Sequence, residues 1–264
     1  MVDMPEGTTL REMQPNDVRA ALEIIEQHDE DDFAWASEFY HNTLFGQFVM
    51  TKNDQVIGVT GANPVEETDG SWMISWTYLK RDLMGHGYGR AMLEGMLAEL
   101  RAGDCRKVFV NTSDYIDPED GDIYRDAREA YRAVGFQEEM RHNQYYDANE
   151  SLISFGLRLI PPDPVPHSPN VGRIRLTDID EIDECEGAYW LAWELDDEGS
   201  DVNGMQMIID QVREWEGRVI FMGFPSDLQN AEEFVTRARF KRDGQLRDFY
   251  EDGVDQVHFR LDLL

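Results

Sequence analysis

Apolar and polar positions along the first 160 residues follow two alternating periods. Stretches with every second residue apolar predict strands, and stretches with apolar residues three or four positions apart predict helices. The full predicted order is a strand at 8–14, helices at 17–27 and 32–44, a hairpin at 46–65, a long strand at 70–79, a helix at 89–102, a buried strand at 107–113, a helix at 126–135, and closing strands at 138–146 and 152–159.

The helix at 89–102 follows three glycines at alternate positions, in the segment RDLMGHGYGR. A helix N-terminus has unpaired backbone N–H groups and a partial positive charge. Glycines in front of it allow the backbone to approach an anion closely, because no Cβ stands in the way. Gly85, Gly87 and Gly89 therefore predict a phosphate-binding loop, since a plain turn needs only one such glycine. The spacing departs from the dinucleotide fingerprint, and no Gly-Lys-Ser/Thr of a nucleoside triphosphatase follows.

The charge is strongly acidic, with 54 acidic and 24 basic residues and a formal net charge of −30. Acidic residues are spread along the whole chain, which predicts a solvated surface rather than an acidic tail. The composition resembles that of proteins from salt-loving archaea; attraction of a cationic substrate is the alternative reading. Nucleic acid is not expected as a partner, because phosphate binding needs clustered positive charge.

Other features of the sequence limit the class of protein. Two cysteines, Cys105 and Cys185, are too few for a disulfide framework or a four-ligand zinc site, and we expect no metal. No apolar run is long enough to span a bilayer and no secretory signal is visible. The sequence therefore predicts a cytoplasmic protein without a membrane partner.

Five prolines within 161–170 predict an extended linker. This divides the chain into a domain at 1–160 and a smaller domain at 171–264. The two parts resemble each other: 127–159 aligns with 231–263 without a gap, and the tryptophan strand at 70–79 matches 187–195. Both segments keep their order, which predicts a duplicated unit whose second copy has no room for the two early helices.

The order of elements, the motif LKRDLMGHGYGRAML and the motif AREAYRAVGF together resemble the GNAT superfamily of acyl-CoA-dependent acetyltransferases. The resemblance covers roughly residues 8–160. It implies an α/β (α+β) fold with a mixed, mostly antiparallel central sheet flanked by helices, here duplicated with a truncated second copy. It also implies acetyl-CoA as cosubstrate and an amine of a small molecule or protein as acceptor.

The resemblance also implies roles for individual residues. Thr77 and Leu79 would pair with the pantetheine arm through backbone groups, and Tyr131 would protonate the departing thiolate as a general acid. Arg90 is either a phosphate ligand or a solvent-exposed helix residue. The position of Met84 usually holds Arg or Gln in the family, but it acts through its backbone amide. The expected cofactor-binding loop is Met84, Gly85, His86, Gly87, Tyr88, Gly89 and Arg90.

Some roles stay open. No general base is assigned, and Glu66, Glu67, Asp69 and His41 are weak candidates.

The second copy carries the acidic segment DDEGSDVNGMQ at the place of the glycine loop, and Val235 stands opposite Tyr131. We therefore expect it to be non-catalytic, shaping the acceptor cleft or forming a homodimer interface. A ligand site around Trp190, Trp193 and Trp215 is the rival reading. For the whole chain, the alternative to an enzyme is a CoA-responsive binding or regulatory protein without turnover.

Overall fold

The structure is a computed structural model that describes residues 4–162, 170, 172–228 and 230–263. Most of the proposed 161–170 linker lies outside the described residues. The chain divides into two compact units, and the boundary runs through three strands of the first sheet. The first unit comprises Met1–Val110, Asp126–Gln137 and Leu157–Pro161; the second comprises Asn111–Arg125, Glu138–Gly156 and Pro162–Leu264. None of the described helices has both the length and the apolar content needed to span a bilayer.

The first sheet has the strand order β1-β2-β3-β4-β6-β8-β7, with β5 paired to β3. Apolar residues on both faces of β2 and β3 account for their burial, with α1 and α2 covering one face and α3 the other. Helices and strands are β1 Thr8–Glu12, α1 Val18–Glu26, α2 Glu30–Asn42, β2 Gln47–Lys52, β3 Gln55–Pro64, β4 Ser71–Ile74, β5 Tyr78–Leu79, α3 Tyr88–Ala102, β6 Lys107–Ser113, α4 Arg125–Ala133, β7 Gln137–His142 and β8 Leu152–Arg158.

The long strand predicted at 70–79 is broken, so that prediction is wrong in its middle. Ile74 pairs with Ala62 and Leu79 pairs with Gly58 on the same strand β3. The chain takes five steps from Ile74 to Leu79 opposite four steps along β3, which leaves one extra residue. An extra residue on one strand is a β-bulge, and it re-aims the side chains around it. Trp76 and Thr77 lie at this interruption, between β4 and β5.

The first closing strand, predicted at 138–146, is shorter in the structure: β7 ends at His142. Gln144 has a φ of 56°, in the left-handed region, and a strand cannot continue through that conformation. The other predicted elements are present with shifts of a few residues at their ends, and two 3₁₀ turns, Pro15–Asp17 and Arg81–Leu83, precede α1 and follow β5.

The second sheet has the order β12-β13-β11-β10-β9. Its strand β10 runs parallel to β11, as β4 runs parallel to β6 in the first sheet. The other pairs of the second sheet are antiparallel, as are β1–β2, β2–β3 and β3–β4 in the first. The two sheets suggest a duplicated arrangement. The elements are β9 Arg173–Glu181, β10 Ala188–Asp196, α5 Val202–Glu214, β11 Val219–Pro225, α6 Ala231–Arg237, β12 Lys241–Glu251 and β13 Val254–Asp262.

Strand β7 contacts β12 and β13 within the second unit. His142 Nε2 lies 3.0 Å from His258 Nδ1, and the other nitrogen of His142 contacts Asp243. His258 continues the chain through Nε2, which lies 2.9 Å from Gln256 Oε1. Both histidines are buried. This buried polar chain therefore ties the end of β7 to the second sheet.

Candidate active site

The glycine loop forms an open cradle at the start of α3. Gly85 and Gly87 have φ of 76° and 84°, and a Cβ built on either would meet no atom within 4 Å. Gly87 is the N-cap of α3, and no side chain caps the first N–H groups of the helix. Left-handed backbone, open space and uncapped N–H groups are the features that allow a phosphate to bind to main chain. This part of the loop fits a pyrophosphate.

Three residues of the loop, Met84, His86 and Tyr88, form hydrogen bonds with other groups of the protein. The Met84 N–H donates to the Arg81 carbonyl at 3.3 Å, and His86 Nδ1 lies 2.8 Å from the Met84 carbonyl oxygen. Tyr88 packs at the start of α3, where its hydroxyl accepts a hydrogen bond from Lys52 Nζ at 2.5 Å. Lys52, on β2, is a contact that the sequence analysis missed, although lysine is rare in this chain. It fixes the start of the helix to the sheet.

Arg90 forms an ion pair with Glu94, with Nε 2.8 Å from the carboxylate, and its side chain is 60% exposed. It therefore lies on the solvent side of α3 in an i,i+4 pair. This agrees with the second hypothesis from the sequence, a solvent-exposed helix residue. Gly89 packs against β5, since a Cβ there would contact Leu79 Cδ1 at 3.4 Å.

The strand residues expected to meet the pantetheine arm lie at the bulge. Thr77 Oγ1 is 3.0 Å from Thr60 Oγ1, so its side chain turns toward the α3 face of the sheet. The carbonyl of Leu79 accepts a hydrogen bond from His28 Nε2 at 2.7 Å, and the His28 ring stacks on Tyr78. This carbonyl thus already has one protein donor, while its second lone pair can accept another bond.

Tyr131 lies on α4 and is 8% exposed, with its ring edge-to-face against Phe136. Burial raises the pKa of its phenol to about 12. The hydroxyl is therefore protonated at neutral pH, as a proton donor must be.

A half-buried carboxylate on the α1–α2 face was missed by the sequence analysis. Asp32 accepts hydrogen bonds from the Trp76 indole N–H at 3.1 Å and from the Tyr78 hydroxyl at 2.5 Å. Burial raises the pKa of Asp32, and hydrogen bonds from Tyr78 and Trp76 oppose that shift. Phe39 and Tyr40 pack edge-to-face on Trp76, each with ring centroids 5.5 Å away. The sequence signal was weak, because Asp32 is one of several acids in EQHDEDD.

The weak base candidates lie on the surface. Glu66, Glu67 and Asp69 are exposed in the turn between β3 and β4, and His41 is exposed at the end of α2. None of them shares the environment of Asp32.

The second sheet differs at the equivalent positions. Val235 on α6 is fully buried in the apolar core. The segment before α5 uses Asp201 as a side-chain N-cap, accepting from the Gly204 N–H at 2.8 Å, so these N–H groups are partly satisfied. Trp193 and Trp190 belong to different apolar clusters, and Trp215 stacks on Tyr189. A surface pocket in this unit carries charges of both signs: Arg173, Arg237, Glu198 and Glu233.

The first part of the chain is similar to acetyltransferases in two comparisons with known proteins. Residues 10–120 match the model of the acetyltransferase (GNAT) family. A putative GNAT acetyltransferase from Desulfovibrio desulfuricans has the same fold, with 21% identity, 58% of this chain and 99% of that chain covered, and a TM-score of 0.51. A comparison with curated proteins finds no match.

Two other similar structures are N-acetyltransferase or acetyltransferase proteins by name. The ribosomal-protein-S18-alanine N-acetyltransferase from Escherichia coli has 20% identity, with 61% of this chain and 99% of that chain covered and a TM-score of 0.48. The putative acetyltransferase yncA from Salmonella typhimurium, solved with its cofactor acetyl-CoA, has 18% identity, with 59% and 95% covered and a TM-score of 0.46.

Proposed function

We propose that this chain is an N-acetyltransferase that moves an acetyl group from acetyl-CoA to a primary amine. The match of residues 10–120 to the GNAT family supports the reaction class. The observation that carries the proposal is the cradle at Gly85 and Gly87. Both glycines have left-handed backbone with open space around them, and no side chain caps the N-terminus of α3 that follows. A pyrophosphate would bind there through main-chain N–H groups of Gly85 to Arg90, since the N–H of Met84 already donates to the Arg81 carbonyl.

In this proposal the pantetheine arm of acetyl-CoA runs from the loop along the bulged segment between β4 and β5. Thr77, in the interruption between β4 and β5, would hold the arm through its backbone groups, and Leu79 on β5 through the second lone pair of its carbonyl oxygen. Tyr131, protonated at neutral pH, would give its proton to the sulfur as the carbon–sulfur bond breaks.

We further propose that residues 171–264 form a truncated, non-catalytic repeat of the same unit and that 161–170 is the linker. Val235 has no proton to donate, and the acidic segment before α5 would repel a pyrophosphate. The acidic excess supports a haloarchaeal type of surface and a protein of the cytoplasm, where high salt screens the repulsion.

The experiment is release of free thiol from acetyl-CoA in the presence of a panel of primary amines, with mass spectrometry of each amine. The panel contains butylamine, tyramine, spermidine and the peptide trialanine. We expect amine-dependent thiol release and a product heavier by one acetyl group. Binding of acetyl-CoA without any release would instead indicate the CoA-responsive regulatory protein.

A further inference from the structure

The α1–α2 face of the first sheet carries a half-buried carboxylate, Asp32. Asp32 lies in the first turn of α2, where Asp29 caps the helix by accepting from the N–H groups of Asp31 and Asp32. Its two oxygens accept from Trp76 and Tyr78, which stand on either side of Thr77 in the sequence. The carboxylate is therefore held by the same bulge at which the acetyl-CoA arm is proposed to bind, but on the α1–α2 face.

Further aromatic rings pack on Trp76 and Tyr78, the two residues that hold this carboxylate. Phe39 and Tyr40 pack on Trp76, and His28 stacks on Tyr78 with ring centroids 5.0 Å apart. The faces of such rings attract a cation, and more strongly where water is excluded. A carboxylate among aromatic rings is a binding environment for an ammonium group rather than for an anion or a neutral alcohol.

One buried hydroxyl of this cluster still lacks a hydrogen bond. Tyr40 is 5% exposed, and its hydroxyl has no hydrogen-bond partner among the described residues. Tyr40 and Asp32 both contact Trp76. Burial, and after it the charge of Asp32, raises the pKa of Tyr40. Leaving a buried hydroxyl unpaired costs free energy, and a ligand that supplies a donor would remove that cost.

We propose that Asp32 binds the acceptor amine as a primary ammonium, with the Tyr40 hydroxyl as a second contact, and that Asp32 then takes its proton. This rests on the function proposed above and names the substrate class as a cationic primary amine. Asp32 would be both the specificity residue and the general base that the sequence left unassigned.

The proton balance closes with the groups already named. The ammonium gives one proton to Asp32, and the freed lone pair of nitrogen forms the bond to the acetyl carbon. The carbon–sulfur bond then breaks and its electron pair leaves with sulfur. Tyr131 gives its proton to sulfur. The nitrogen loses a second proton as the amide forms, and this proton returns through solvent to the Tyr131 oxygen. The proton on Asp32 passes to solvent, so one proton is released in each turnover.

The test compares Asp32→Asn with Asp31→Asn, which removes a neighbouring exposed carboxylate on the same helix. Asparagine keeps the shape, and its amide can still accept from Trp76 and donate to Tyr78. Binding of the four panel amines is measured by calorimetry with saturating CoA. We expect at least one amine to bind the unchanged protein and Asp32→Asn to weaken it about 10- to 100-fold, as expected for a hydrogen bond to a charged group. Asp31→Asn should bind as before.

Turnover and its pH dependence separate a base from a structural carboxylate. With the best amine, Asp32→Asn should lower kcat/KM by about 10²- to 10⁴-fold near neutral pH. The deficit should shrink as the pH nears the amine's own pKa, because solution then supplies neutral amine. Tyr40→Phe, which keeps the ring, should weaken amine binding while acetyl-CoA binding stays the same. Its thermal midpoint should stay the same or rise, because an unpaired buried hydroxyl is removed.

The outcomes are distinguishable. Failure of every amine to bind the unchanged protein, or equal binding to Asp32→Asn, overturns the ammonium site. A turnover deficit that is constant with pH overturns the role as base. Binding that depends on Asp32 without thiol release from any amine upholds the ammonium site and overturns the transfer function and the proton transfer to Asp32.

Discussion

The backbone N–H of Arg106 donates to the carbonyl oxygen of Gly70 across 2.7 Å, and this joins the start of β6 to the start of β4. The second sheet contains the same link, from the Arg218 N–H to the Gly187 carbonyl at 2.6 Å. Both glycines have left-handed φ, of 69° and 63°. A matching bond between matching residues at the parallel strand pair supports the proposed duplication beyond the strand order alone.

This link predicts a shared sensitivity to substitution. Gly70→Ala and Gly187→Ala should each destabilise the chain by about 1–2 kcal/mol, because a Cβ is disfavoured at left-handed φ. At Gly70 the new Cβ would also lie 3.2 Å from the Asp104 carbonyl oxygen. Gly103→Ala is the control, since Gly103 has an ordinary φ of −91° and a Cβ there would meet no atom closer than 3.6 Å. Denaturant midpoints of the three variants measure the effect; equal midpoints at all three positions would count against it.

The regular elements could be predicted from the sequence, but the bulge could not. Helix α3 follows from apolar spacing, and the glycines before it predict the anion cradle from backbone freedom alone. The break between Ile74 and Leu79 depends on which residues of β3 each half meets, and a single strand pattern holds no register information. The same holds for Asp32, whose position opposite Trp76 arises from packing of α2 on a distant strand.

The acidic surface predicts a salt requirement. With a net charge of −30, repulsion should destabilise the fold at low ionic strength. Screening lengths fall from about 30 Å at 0.01 M to about 3 Å at 1 M salt. We expect the thermal midpoint to rise strongly over this range of potassium chloride. A midpoint that does not change would rule out the halophilic interpretation.

The buried histidine pair predicts acid sensitivity. Burial, and then the charge of His142, holds the pKa of His258 well below its ordinary value of 6.5. The unfolded chain therefore binds the proton first, so this stability is present above pH 6.5 and is lost as the pH falls below it. Other charges at this site are Asp243 on β12 and Arg260 on β13.

The variant for this prediction is His258→Gln, which removes the titrating ring. The unchanged protein should lose up to about 1.4 kcal/mol per pH unit more than the variant below pH 6.5. Unfolding free energies at pH 7, 6 and 5 measure this slope. Parallel slopes for the two proteins would show that His258 does not titrate differently on unfolding.

Tyr131→Phe tests the proposed acid. Only the hydroxyl is removed, so the packing on Phe136 and the binding of acetyl-CoA should be retained. Turnover should fall by about 10²- to 10⁴-fold, as expected for loss of one general acid. Val235→Tyr in the second repeat should add no activity, because no glycine loop precedes α5. A normal rate for Tyr131→Phe would make Tyr131 a packing residue and assign the proton to another group.

The central claim is that the loop at 84–90 binds acetyl-CoA, and calorimetric titration of acetyl-CoA into Gly87→Ala tests it most directly. Gly7→Ala is the matched control, since Gly7 also has left-handed φ, 74°, and a Cβ there would meet only Asn53 Oδ1 at 3.6 Å. Both variants carry similar backbone strain, but only Gly87→Ala fills the cradle. We predict at least about tenfold weaker binding, equal to about 1.4 kcal/mol, for Gly87→Ala alone. Equal affinity of Gly87→Ala and the unchanged protein would contradict the account.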